Sequence, residues 1–214
     1  MRISSFVFVP VKKFDLPGIV KNGLDPAATS FESLKKARAN GGRVLLVPRK
    51  AILEGRVRPK DIANLHPYRR AVAIAAGGGV LLRRREGKLE TVLIFRRGKW
   101  DIAKGKRERQ ESNRACAVRE VDEELGIYDA SIISKLGKTV HGYRATKRRY
   151  LVKTTHWYSM RTDAETFTPQ LKEQITDARW VSLKEAEEML GYNILRQLLV
   201  ASREQLLTDA LGLR

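Results

Sequence analysis

Apolar and polar positions follow two different periods along this chain. The start, ISSFVFVPV, is rich in β-branched and aromatic residues and predicts a strand. Ser30 is placed to cap a short helix through Ala39, Gly41-Gly42 ends it, and RVLLVP predicts a second strand. RKAILEGRVRPKDIANLHPYRR is basic, broken at Pro59 and Pro67, and predicts no regular element. His66, alone before a proline, reads as a structural contact and not a ligand. From Ala71 the pattern sharpens: AVAIAAGGGVLLRRR predicts an apolar strand, EGKLE a turn and TVLIFRR the next strand. Gly77-Gly78-Gly79 precedes Val80-Leu81-Leu82 and has no acidic ribose partner in register, so it is not a dinucleotide fingerprint. Close backbone approach within a strand explains the triplet better.

The period then changes. Ser112 offers an N-cap oxygen, and no Pro or Gly interrupts the run to Leu125. At ~100° per residue, Ala115, Val118, Val121 and Leu125 gather on one side and are expected to meet the core. Glu120, Glu123 and Glu124 stand at i, i+3 and i+4 and share another face, while Asp122 points away. Gly126 supplies the helix stop. Beyond it, SIISKLGKTV and RRYLVKTTHWYSM predict paired strands around the loop HGYRATK. NILRQLLVASREQLL predicts one amphipathic helix, closing either the domain or a homodimer interface.

Composition bounds what such a chain can be. With 214 residues it holds one large or two small domains, and the composition change near Tyr68 divides it into an α+β segment, 1–70, and a second domain, 71–214. The first segment shows no catalytic constellation; a lid, a dimerisation element and a binding module all remain open. No apolar run approaches the ~20 residues of a membrane span. The first residues are broken by serines and Pro10 and lack a cleavage site, so they read as a strand and not a signal peptide. A single cysteine, Cys116, excludes internal disulfides and suits the cytoplasm; its place on the helix makes it a packing residue. The net charge of +18 favours polyanions, nucleic acids and phosphorylated small molecules alike, and does not choose between them.

Three acids on one helical face favour a hard divalent ion such as Mg²⁺ or Mn²⁺, which prefers oxygen ligands and bridges carboxylates to phosphates. Taken alone, the trio reads more simply as a solvated acidic face. The wider spacing changes the odds. Gly105, five residues, Glu111, seven residues, Arg119-Glu120, an aliphatic, any residue, Glu123-Glu124, any residue, Gly126 and an aliphatic form a complete Nudix box. Chance would produce it at roughly 10⁻⁹ per starting position. The chain strongly resembles the Nudix hydrolases, without departure at any signature position.

The resemblance, over about Ala71 to Leu207, implies an α/β/α sandwich with a mixed sheet. It implies that Glu120 and Glu124 are the main metal ligands, that Glu123 assists, and that the Gly105 carbonyl joins them. It casts Arg119 and Glu111 as an orienting ion pair. The implied reaction is water attack on a phosphorus of a nucleoside diphosphate linked to another group. Trp100 ahead of Lys104-Gly105-Lys106 resembles the lead-in of members acting on dinucleoside polyphosphates and diphosphoinositol phosphates, with Ala103 in place of the usual proline. KTTHWY is similar to a strand of the same dinucleoside polyphosphate branch. Lys104 or Lys106, and the cluster Arg144, Lys147, Arg148 and Arg149, are then candidates for phosphate contacts, and Tyr143 for stacking on a base. Each also has a plain reading as a solvated loop residue. Glu173 sits where some members place an extra metal-binding or base carboxylate. The expectation is a metal-dependent pyrophosphohydrolase of a dinucleoside polyphosphate or similar compound. ADP-ribose or nucleotide-sugar hydrolysis and RNA 5′-end trimming are alternatives in the same class. A ligand-sensing regulator whose basic N-terminal part binds nucleic acid is the alternative of another class, disfavoured by the intact box and the lack of a helix-turn-helix.

Overall fold

The computed structural model describes residues 6–11, 44–48, 68–70, 72–146 and 149–213, with side chains described at 72–141 and 151–213. Its contacts divide the chain into two units, Met1–Ala73 with Val140–Lys153, and Ile74–Thr139 with Thr154–Arg214.

In the first unit, strands β1 (Phe6–Val11), β2 (Val44–Pro48) and β3 (Tyr68–Arg70) form a sheet in the order β2-β1-β3. Both ladders are parallel, with Val7 opposite Val44 and Phe6 opposite Tyr68. The first two strands fall where β-branched runs predict them. β3 does not: HPYRR reads as irregular, yet its end pairs with a strand some sixty residues earlier, a contact no local pattern carries. The helix expected from Ser30 and the contact expected of His66 lie outside the described residues.

Around the second unit, the strands are β4 (Val72–Arg85), β5 (Lys88–Arg96), β6 (Lys99–Asp101), β7 (Lys104–Lys106), β8 (Ser131–Thr146), β9 (Arg149–Arg161) and β10 (Ile175–Ser182). They form the seven-stranded sheet of a mixed α/β fold, ordered β10-β5-β4-β9-β8, with β6 on β5 and β7 on β4. The helices are α1 (Asn113–Leu125), α2 (Leu183–Met189), α3 (Asn193–Ala201) and α4 (Arg203–Asp209). The HGYRATK stretch belongs to β8 as far as Thr146 and is less of a loop than expected. The last helix is two: at Ser202 the backbone leaves helical geometry, and its N–H turns to Leu198 and Leu199 carbonyls.

Ala76 to Leu82 of β4 are buried without a break, the pattern of a strand covered on both faces. Alternate residues serve alternate sides. Val80, Leu82 and Leu93 join Leu183, Ala186, Leu195, Leu198, Leu199 and Leu206 from α2, α3 and α4. Leu81, Val92 and Ile94 join Ala117, Val121 and Leu125 from α1. Each such large aliphatic contributes about 1.5–3 kcal/mol when fully buried. The triplet Gly77-Gly78-Gly79 brings α1 onto the sheet: a β-carbon on Gly77 would stand 2.5 Å from the Ala117 amide nitrogen, and one on Gly79 2.8 Å from Val121. At the far end, Asp209 accepts hydrogen bonds from Ser134 Oγ at 2.6 Å and Ser159 Oγ at 2.5 Å, tying α4 to β8 and β9.

Candidate active site

β5 and β6 form a hairpin whose turn, Arg97-Gly98, has positive φ at both residues. β6 runs into β7, which pairs with β4 so that Gly105 faces Gly77. Ser112 Oγ then accepts the Ala115 N–H at 3.0 Å and starts α1 as expected. Gly126, at φ 65°, ends it with its N–H on the Asp122 carbonyl. Asp122 itself accepts the Ala130 N–H at 3.2 Å, away from the acidic trio.

The buried face of α1 is rotated from the one periodicity suggested. Cys116, Ala117, Val121, Glu124 and Leu125 are buried; Val118 is half-buried and Ala115 exposed. Small residues on both sides of the Gly77–Ala117 contact let the helix settle closer on that side. The trio therefore spans a gradient. Glu124 is 2% exposed, Glu120 14% and Glu123 47%. The solvated acidic face fits only Glu123. Cys116 is a packing residue: burial pushes its thiol up to about 11.

Arg119 is the hub of the outer part. Its Nε and Nη2 donate to the two Glu111 oxygens at 2.9 and 3.0 Å, and Nη1 donates to Glu120 at 2.9 Å and Glu123 at 3.1 Å. Nη2 also reaches the Lys106 carbonyl at 3.1 Å. The bidentate Arg119 bond holds the Glu111 carboxyl down at about 2, against the opposing effect of burial. An open recess of ≈ 700 Å³ runs along this side of α1 between Glu111, Val118, Glu123 and the exposed Tyr128.

Glu124 has a different setting. Burial raises its carboxyl to about 7, opposed by Lys104 and Arg96. Its Oε2 accepts the Lys104 backbone N–H at 2.9 Å, and its Oε1 accepts Arg96 Nη1 at 3.0 Å. Arg96 Nη2 reaches Glu173 at 3.1 Å. Arg96 was not singled out from sequence, although a signal exists: a period of two from Val92 and Ile94 puts it on the face that meets α1. Lys104 departs from expectation. Its ammonium is turned inward onto Asp101 at 2.5 Å and the Ile102 carbonyl at 3.1 Å, because a half-buried chain beside a buried carboxylate satisfies its charge locally. Lys106 remains exposed. Trp100 is packed edge-on to Phe95 at 5.1 Å, with the Arg179 guanidinium 4.6 Å from its ring. Glu173, on a 3₁₀ turn before β10, is brought to the site through Arg96. The side chains of Tyr143, Arg144, Lys147 and Arg148 lie outside the described residues.

Chemically, the groups expected to hold a metal, Glu120, Glu123, Glu124 and the Gly105 carbonyl, all offer oxygen, the donor type a hard divalent ion prefers. Gly105 also provides a cradle, since any β-carbon there would collide with the Glu120 carboxylate. Among the described residues no three acidic, His or Cys side chains converge on a single point; Arg119 and Arg96 hold the carboxylates.

The family model of the NUDIX domain matches residues 66–201. Among solved structures, the chain is similar to a protein from Listeria monocytogenes assigned as a NUDIX hydrolase, at 18% identity over 63% of this chain and 94% of that one, with TM-score 0.54. It is similar to the NUDIX domain of Shewanella oneidensis NrtR complexed with ADP ribose, at 20% identity over 70% and 99%, with TM-score 0.51. It is also similar to a C. elegans Ap4A hydrolase, at 20% identity over 63% and 98%, with TM-score 0.49. At these identities the likeness to the first two is one of fold.

Proposed function

The chain belongs to the NUDIX domain family and is a hydrolase of phosphoric anhydride bonds, and from that premise we propose that it cleaves a dinucleoside polyphosphate or a similarly polyphosphorylated nucleotide. Glu120 and Glu124, helped by Glu123 and the Gly105 carbonyl, would hold the divalent ion. A bound Mg²⁺ or Mn²⁺ would neutralise phosphate charge and lower the pKa of the attacking water. Arg119 fixes Glu120 and Glu123 while Glu111 fixes Arg119, so ligand geometry is set before substrate arrives. Glu173, tethered to Glu124 through Arg96, is a further carboxylate at the site and the candidate to accept a proton from water.

The observation that carries the reading is the Glu120 carboxylate packed against Gly105, with Glu124 buried one turn further along the same helix. The preference for a long phosphate chain is supported by the exposed Lys106 and by the Trp100 to Lys106 lead-in. A lone, buried cysteine fits a reducing cytoplasm. A substrate panel tests the reading: nucleoside triphosphates, diadenosine compounds of increasing phosphate number, ADP-ribose and triphosphorylated RNA. Highest kcat/KM is expected on the diadenosine compounds, rising with chain length, with the rise reduced in the Lys147→Ala/Arg148→Ala variant. A higher value on ADP-ribose or RNA would reject the polyphosphate reading.

A further inference from the structure

Glu124 is a nearly inaccessible carboxylate, and a carboxylate in that setting needs a partner for its charge. One oxygen is committed to the backbone: Oε2 accepts the Lys104 N–H, whose position is set by the pairing of β7 with β4. Only Oε1 is negotiable, and a guanidinium holds it. The two arginines of the site differ in how firmly they are held. Arg119 is bonded to Glu111 through both oxygens, to Glu120, to Glu123 and to the Lys106 carbonyl. Arg96 has Glu124 and Glu173, and Glu173 is 52% exposed on a short turn, a partner water can replace. A divalent ion and a guanidinium on one buried oxygen repel each other strongly.

We propose that Arg96 is the exchangeable cation of the metal site: without a divalent ion it neutralises Glu124 and Glu173 together, and it leaves Glu124 when the ion binds. This rests on the reading of Glu124 as a ligand. Two consequences follow. Arg96 is a competitor that weakens metal binding to the free protein. The released guanidinium, still next to the ligand carboxylates, is then available to an anionic phosphate, so metal and phosphate binding reinforce each other.

The test is a Mn²⁺ titration of the full-length protein without nucleotide, followed by the magnetic resonance signal of free Mn²⁺, at about pH 8, where carboxylates are ordinarily ionised. Wild type, Arg96→Met, Arg96→Lys and Glu124→Gln are compared. Arg96→Met should bind Mn²⁺ about tenfold tighter or more, since a charge-assisted bond no longer competes. Arg96→Lys, which keeps the charge, should stay within about threefold of wild type. Equal or weaker binding by Arg96→Met would overturn the proposal and make Arg96 a support for the ligand. Should that variant fail to fold, wild type still decides. The Arg96 Nε–H nuclear resonance, assigned by its loss in Arg96→Lys, should shift on Mg²⁺ addition, and a stationary signal overturns the proposal. Glu124→Gln separates the two readings. If it binds Mn²⁺ like wild type, the ligand assignment falls and the proposal with it. If it loses binding while Arg96→Met is unchanged, only the proposal falls.

Discussion

The helices on the two faces of the central sheet bury different things. Toward α2, α3 and α4 the contacts are mostly apolar, Asp209 is bonded to the Ser134 and Ser159 hydroxyls, and the Glu187–Arg203 ion pair stands at the rim, with Arg203 half exposed. Toward α1, Ala117, Val121 and Leu125 pack as apolar neighbours should, but Glu124 is sealed in beside them and held by Arg96 and a backbone amide. One face is built to be stable. The other accepts a desolvated carboxylate, a destabilising choice on its own, in order to place an acid at a fixed spot. The lesson is that burial of charge, rather than charge itself, marks the working face: this chain is strewn with exposed cations, and almost none is informative.

The largest test of this contrast is Glu124→Gln. Shape survives while the charge and one of the two acceptors go, since an NH₂ replaces the oxygen that faces Arg96 or the Lys104 N–H, so kcat should fall at least about a hundredfold in the presence of Mg²⁺. The thermal midpoint should drop modestly without loss of the fold, because Arg96 loses Glu124 but keeps Glu173. Full activity in this variant, read by steady-state kinetics beside a melting curve, would break the comparison outright. The mirror test is Leu199→Ala on the opposite face. Deleting this fully buried side chain should destabilise by about 2–5 kcal/mol in a denaturant titration. Activity per folded molecule should stay within about twofold. A kcat loss as large as that of Glu124→Gln would show that the two faces are coupled and not separable.

The smallest effect concerns pH. Glu111 has its carboxyl lowered from 4.5 to about 2 by Arg119. A lowered acid pKa contributes stability that is complete above the unfolded value and is lost as pH falls toward the folded one. Wild type should therefore lose stability relative to Glu111→Gln between about pH 4.5 and pH 2, and show no change in that difference above it. Parallel acid-unfolding curves for the two proteins would refute the assigned role of the Glu111–Arg119 pair.

Much of the working region was legible because it is local. Ser112 starts the helix, Gly126 stops it and Asp122 faces away, all within a span where neighbours in sequence are neighbours in space. The apolar runs of β4 and β5 likewise declared these two strands. The glycine triplet was read correctly as close approach, though only the fold supplied what approaches: Ala117, Lys104 and Val121.

Tertiary structure decided the rest. Which acid of the trio is buried depends on how far α1 turns as it settles on Gly77, and periodicity missed that rotation. The inward turn of the Lys104 ammonium depends on Asp101 being buried beside it. Arg96 meets Glu124 across 28 residues and Glu173 across 77, pairings created by sheet order and helix docking. The sequence by itself determined the acids of α1 and their spacing, because those are properties of one helix and its caps. Their burial, their charge partners and hence their chemistry were settled only when distant strands closed over them, since desolvation belongs to the assembled core and to no single segment.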